Sequence, residues 1–193
     1  MEVNARRSVY LYLIRCEELL DPALKGTLNV LGSCAKTPSV KRVIITSSEA
    51  AIAFNCNPRT SDAVIDESWW ADADMCREHQ GTGSETYGNT AYGWVHVKDV
   101  VDAHVLAYEK PEANGRYYIV ERCARPFDLV EILRELYPHL KFPEKTADRK
   151  PLVENYKVNT EKAKKLGVSF TPLKQALKDT VESLKEKGFF KEA

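Results

Sequence analysis

Val43, Ile44 and Ile45 stand in one uninterrupted apolar row, "RVIIT", between polar stretches. A strand without polar alternation has no face to give to water. The row therefore predicts a parallel strand covered on both sides. The segment before it has helical grammar. In "LLDPALKGTLNVLGSCAKTPS", Asp21 can serve as N-cap and Pro22 suits the first helical position. Leu24, Leu28, Leu31 and Ala35 recur on one face, and Pro38 marks the end. A helix followed by a doubly buried strand predicts an α/β fold. In open α/β sheets, ligands lie outside the carboxyl ends of the strands. Thr46, Ser47 and Ser48 fall at that end, either as part of a site or as a plain strand cap that opens a turn.

Further along, Asn55 to Gln80 reads as loop. Its Trp69 and Trp70 can face a ligand or staple the loop to the core, and loop tryptophans more often do the second. "GTGSETYGNTAYG" reads as a flexible connector. Gly83 and Gly88 have phosphate-loop spacing, but Asn89 follows instead of lysine and no buried strand leads in. "WVHVKDVVDAHVLAYEKP" turns from strand-like alternation into a helix with Val97, Val101, His104 and Tyr108 on one side. "GRYYIVE" predicts another strand. "FDLVEILRELYP" predicts a helix with Leu129, Val130, Leu133 and Leu136 inward, and "NTEKAKKLG" a short helix ending at Gly167. In the tail, Thr171 caps, Pro172 starts, Leu173, Leu177, Val181 and Leu184 form the stripe, and Gly188 stops the helix.

The 193 residues carry 28 lysines and arginines against 28 aspartates and glutamates, so neither a nucleic-acid footprint nor a membrane-binding field is expected. No stretch is long and apolar enough to cross a bilayer. The opening "MEVNARRSVYLYLIRC" has a short apolar run broken by Arg15, which reads against a signal peptide. Cys16, Cys34, Cys56, Cys76 and Cys123 are odd in number and widely spaced, the pattern of free thiols in a reducing, cytoplasmic setting. His96 and His104 match no metal-ligand spacing, so no metal is expected.

Taken in order, these segments resemble a known family. "LLDPALKGTLNVLGSCAKTPSVKRVIITSS", "DESWW" with "CRE", "GWVHVKDVVDAHVLAYE", "GRYYIVE", "ILRELYP" and "VNTEKAKKLGVSFTPLKQALKDTVESLKEKGF" are similar to the plant cinnamoyl-CoA reductase and dihydroflavonol reductase-like enzymes, which include the cinnamyl-alcohol-dehydrogenase-like and phenylacetaldehyde reductases. These are extended short-chain dehydrogenase/reductases with a Rossmann fold and NADP(H). The resemblance implies an incomplete Rossmann-like parallel sheet with helices and a helical, substrate-side C-terminal part. It implies one domain over 1–193, with 1–80 the remnant of the nucleotide-binding part and 81–193 the C-terminal part. It also implies a reductase of phenolic aldehydes, CoA thioesters or flavonoid ketones.

Family chemistry rests on a serine, a tyrosine and a lysine. The tyrosine gives a proton to the carbonyl as NADPH delivers hydride, the lysine lowers the tyrosine's pKa, and the serine holds the carbonyl oxygen. The serine position matches Ser48, and Thr46 and Ser47 fall at the cofactor side. Glu49 departs from the family's neutral or apolar residue and would oppose a developing oxyanion if it pointed inward. The Tyr-x-x-x-Lys helix should follow "MCRE", where "HQGTGSETYGNT" stands instead. Tyr137 to Lys141 has the spacing, but Pro138 disfavours helical geometry at Tyr137. The family's glycine-rich phosphate turn is also expected to be missing, because the first glycine, Gly26, lies inside a helix. The expectation is a truncated reductase without hydride transfer. It would then act as a remnant that binds a full-length relative or a small aromatic ligand, or have no function. The isolated chain is expected to be unstable or self-associating, with "VYLYLI", Val9 to Ile14, as a partial substitute strand.

Overall fold

The computed structural model of the chain describes residues 20–53, 57, 60–71, 90–140, 142 and 155–188. The substitute strand proposed for Val9 to Ile14, most of the glycine-rich connector and Lys141 lie outside the described residues. The chain divides into two compact units, Met1–Ile45 and Thr46–Ala193.

In the first unit, helix α1 spans Asp21–Ala35. Pro22 opens it as expected, but Leu20 is the N-cap and Asp21 is already helical. The Asp21 carboxylate instead accepts from Lys25 Nζ, one turn on, at 2.9 Å. The predicted apolar face is largely exposed at Leu24 and Leu28. The expected strand "RVIIT" does not form. Residues 40–45 run without regular structure, and Val43, Ile44 and Ile45 are exposed, Ile45 by 60%. A parallel strand is a product of its neighbours, and no ladder among the described residues includes this one.

The second unit is an α/β assembly of short strands and longer helices. In chain order it contains α2 (Ala50–Ala53), β1 (Val64–Ile65), β2 (Tyr92–Trp94), α3 (Val97–Glu109), β3 (Arg122–Ala124), α4 (Pro126–Leu136), β4 (Lys157–Val158), α5 (Glu161–Leu166) and α6 (Leu173–Glu186). β1 and β4 pair in parallel, Val64 opposite Lys157. β2 and β3 pair antiparallel, Tyr92 opposite Ala124 and Trp94 opposite Arg122. β1 falls where the sequence reads as loop. "GRYYIVE" forms no strand: β3 begins at Arg122, and the Tyr118 N–H goes to the Glu67 carboxylate at 2.9 Å.

Three apolar clusters hold the unit together. Ile52, Ile65, Ala91, Tyr118, Val120, Cys123 and Tyr156 form the largest, with Trp69 against it. The Ala103 side of α3 meets Ala163 and Val168 around α5. Ala124 and Leu129 meet Leu173 at the start of α6. The buried face of α3 is therefore Asp99 and Ala103, and the predicted face is turned outward, with Val97, Val101 and Tyr108 exposed.

The helix ends show why these elements stop where they do. His96 caps α3, its Nδ1 accepting the Lys98 N–H at 3.0 Å. Asp128 of α4 reaches back to the Arg125 N–H at 2.9 Å. Gly167 closes α5 at φ 106°, a conformation that side chains resist. Thr171 does not cap α6 as expected, since no side chain caps that helix. Its N–H and hydroxyl both donate to the Asp99 carboxylate, at 2.7 and 2.8 Å, because that buried anion on α3 needs donors more than a solvated helix end does. No helix among the described residues is long and apolar enough to cross a membrane.

Candidate functional site

Ser48, the expected catalytic serine, sits in an exposed turn that leads into α2. Its Oγ accepts the Ala50 N–H at 3.2 Å and its carbonyl accepts the Ala51 N–H at 2.9 Å. This is the capping arrangement in which a serine satisfies the first free donors of a helix. Ser47, beside it, is exposed. Thr46 Oγ1 lies 2.8 Å from His104 Nε2, while His104 Nδ1 lies 2.7 Å from the Val100 carbonyl. A carbonyl can only accept, so Nδ1 donates to it, and the Thr46 hydroxyl can pair with Nε2. Of the three neighbouring hydroxyls, that of Thr46 is engaged with His104 on α3, and that of Ser48 accepts from the start of α2.

Tyr137 follows the last residue of α4 with φ −135° and ψ 65°, outside helical geometry. Its hydroxyl donates to Glu182 at 3.0 Å. The Tyr137–Lys141 spacing thus fails as a helical pair at its first member, in line with the proline that follows it.

The residue that departs from the family pattern, Glu49, points inward. Both of its carboxylate oxygens lie against the Gly93 N–H, at 3.0 and 2.9 Å. The Tyr118 hydroxyl donates to Oε1 at 3.4 Å, and the Tyr156 hydroxyl makes a short hydrogen bond to the same oxygen. Gly93 is required there. A Cβ at that position would stand 3.0 Å from Glu49 Oε1 and 2.9 Å from a Val120 methyl. Burial pushes the Tyr118 hydroxyl well above the ordinary tyrosine range, and the Glu49 charge adds to it. For Tyr156 burial leads as well, followed by its hydrogen bond to Glu49. Both tyrosines therefore stay protonated and act as donors.

Sequence reasoning identified Glu49 as an anomaly but not as an anchor. Its partners lie 44, 69 and 107 residues away. The available signal was the pair of facts that "GRYYIVE" places a tyrosine in an apolar run and that Gly93 sits between two aromatic residues. Nearby, Arg116 Nη1 donates to the Glu67 and Trp69 carbonyls at 2.7 and 3.0 Å, and its guanidinium lies over Trp70, 3.6 Å from the ring centroid. The two tryptophans thus staple their loop. Among the described residues no cluster of metal-binding side chains occurs.

No protein-family model matches the chain. Cinnamoyl-CoA reductase CAD2 of Medicago truncatula is 46% identical over 224 residues, covering 89% of this chain and 69% of that protein. Cinnamoyl-CoA reductase 1 of Petunia hybrida is 34% identical, covering 89% of this chain and 67% of that protein. Among solved structures, vestitone reductase from alfalfa superposes with a TM-score of 0.70 at 23% identity, over 86% of this chain and 71% of that one. Yeast methylglyoxal/isovaleraldehyde reductase Gre2, solved with NADPH, gives a TM-score of 0.66 at 25% identity, over 88% of this chain and 72% of that one. The fold is thus the α/β arrangement of Rossmann-type reductases, with two two-stranded sheets among the described residues, one of them parallel.

Proposed function

Because the chain belongs to the cinnamoyl-CoA reductase family of extended short-chain dehydrogenase/reductases, we propose that it is a non-catalytic member, descended from NADP-dependent reductases of phenolic aldehydes, CoA thioesters or flavonoid ketones. The observation that carries this reading is that "HQGTGSETYGNT" stands where the family's Tyr-x-x-x-Lys helix should follow "MCRE". Ser48 Oγ accepts the Ala50 N–H and keeps its own proton to donate, but a serine without its tyrosine and lysine supplies no acid.

NADP is the cofactor the relatives support, Gre2 having been solved with NADPH. Thr46 and Ser47 are the residues here that would lie on its side, and Glu49 is turned away from them, toward Gly93, Tyr118 and Tyr156.

The match to the Medicago truncatula enzyme supports an internal loss. Its 224 positions are met by 89% of a 193-residue chain, about 172 residues, so about 50 positions of the relative have no counterpart here. "HQGTGSETYGNT" stands where the sequence reading puts that loss, and with it the Tyr-x-x-x-Lys helix.

The test is NADPH oxidation with cinnamaldehyde or phenylacetaldehyde, followed by absorbance. General acid–base catalysis alone is worth roughly a hundred- to ten-thousand-fold, so turnover should be indistinguishable from the enzyme-free rate. Steady turnover abolished by Ser48→Ala would refute the reading. Turnover unchanged by that substitution would trace to a contaminant.

A further inference from the structure

Three donors converge on one point inside the second unit: the Gly93 N–H and the hydroxyls of Tyr118 and Tyr156. They come from three separate stretches of chain. Both tyrosines are more than nine-tenths buried, at 6% and 5% exposure. Around them stand Ile52, Ile65, Ala91 and Val120, apolar groups that exclude water. A neutral, water-poor pocket with convergent N–H and O–H donors is complementary to a carboxylate, whose two oxygens accept and do not donate. The absent side chain of Gly93 provides the close approach.

We propose that Gly93, Tyr118 and Tyr156 form a binding site for a small monocarboxylate, and that Glu49 fills it as an internal ligand. The inference is independent of whether the chain reduces anything. Chain tethering gives the Glu49 carboxylate a large effective concentration, so the site is closed to free anions in the chain as it stands. It opens when the side chain is removed. The size of the acceptable ligand follows from the atoms deleted. Glu49→Ala removes one methylene and the carboxylate, which is acetate less a hydrogen. Glu49→Gly removes one carbon more, which matches propionate.

The experiment is thermal and urea unfolding of Glu49→Ala, followed by circular dichroism, with sodium acetate added up to roughly 100 mM against sodium chloride at equal ionic strength. The melting temperature of the variant should fall below that of the unmodified chain. It should rise again with acetate along a saturating curve, and not with chloride. Glu49→Gly should prefer propionate over acetate. Glu49→Gln keeps the space filled and should show no acetate response, as should the unmodified chain. Adding Tyr156→Phe to Glu49→Ala should weaken the acetate effect several-fold, because one donor is gone.

A folded Glu49→Ala chain that ignores acetate would overturn the proposal. So would an equal response in the unmodified chain, in Glu49→Gln or with chloride. If Glu49→Ala does not fold alone, it is diluted from urea into buffer with and without acetate. Recovery of native dichroism with acetate only supports the site, and failure to recover in acetate overturns it.

Discussion

Asp99 and Thr171 allow a quantitative test of how α3 and the start of α6 are joined. Asp99 is only 3% exposed, and its two oxygens take the Thr171 N–H at 2.7 Å and the Thr171 hydroxyl at 2.8 Å. A hydrogen bond to a charged group is worth about 1.5–3 kcal/mol. Asp99→Ala removes both bonds and leaves two donors behind. Thr171 is half-buried, so water recovers part of the loss, and the expected cost is about 3 kcal/mol. Thr171→Val removes only the hydroxyl bond, for about 1.5 kcal/mol. In the double variant the hydroxyl has no anion left to bind. Its cost should therefore match that of Asp99→Ala alone, which is a coupling of about 1.5 kcal/mol. Urea midpoints by circular dichroism, at constant slope, measure all three. Strictly additive costs would refute the lock. They would mean instead that Thr171 serves α6 as an ordinary N-cap, worth about 1 kcal/mol and indifferent to Asp99.

Gly93→Ala puts a methyl 2.9 Å from a buried Val120 methyl and 3.0 Å from Glu49 Oε1, so a loss of about 1–3 kcal/mol is expected in the same assay; a neutral result would mean that β2 shifts freely. Tyr118 and Tyr156 keep their protons above the ordinary value of 10.0, whereas the unfolded chain releases them there, so stability should fall as pH rises above about 10. In an ultraviolet titration each Tyr→Phe change should remove one late-ionising group, and an unaltered late fraction would contradict this. The exposed, ladder-free Val43–Ile45 should drive association with a second copy, seen by light scattering as oligomers that grow with concentration. A monomer at high concentration with a sharp melt would refute it.

The sequence made some of this structure visible and hid the rest, for physical reasons. Helices α3, α4, α5 and α6 were legible because periodicity, proline at the start and glycine at the end are local signals. Gly167 and Gly188 both adopt positive φ where the chain predicted a stop. Residues 43–45 were misread because three apolar residues in a row specify a strand only when partners exist to cover it. Which face of α3 is buried depended on α5 and Thr171, not on its own period. Ser48 could be read either as a site serine or as a cap, and its Oγ does accept the Ala50 N–H at the start of α2. Glu49 was legible as a departure from the family's neutral or apolar residue, but its partners are set only by the folded positions of Gly93, Tyr118 and Tyr156.

The parallel pair of β1 and β4 also sets a kinetic order. It consists of two residues on each side, secured by Lys157 N–H to Ala63 and Asn159 N–H to Ile65 at 3.1 and 2.9 Å. To make these bonds the chain must close a loop from residue 64 to residue 157. By chain-length scaling that closure costs about 4 kcal/mol before any contact repays it. Two bonds, each worth about 1 kcal/mol net, cannot carry that cost unaided. The ladder must therefore form late, after α3, α4 and the β2–β3 pair have already drawn the ends together. Until then Tyr156, one residue before β4, is away from Glu49, so the half-buried carboxylate gains that donor only at the end.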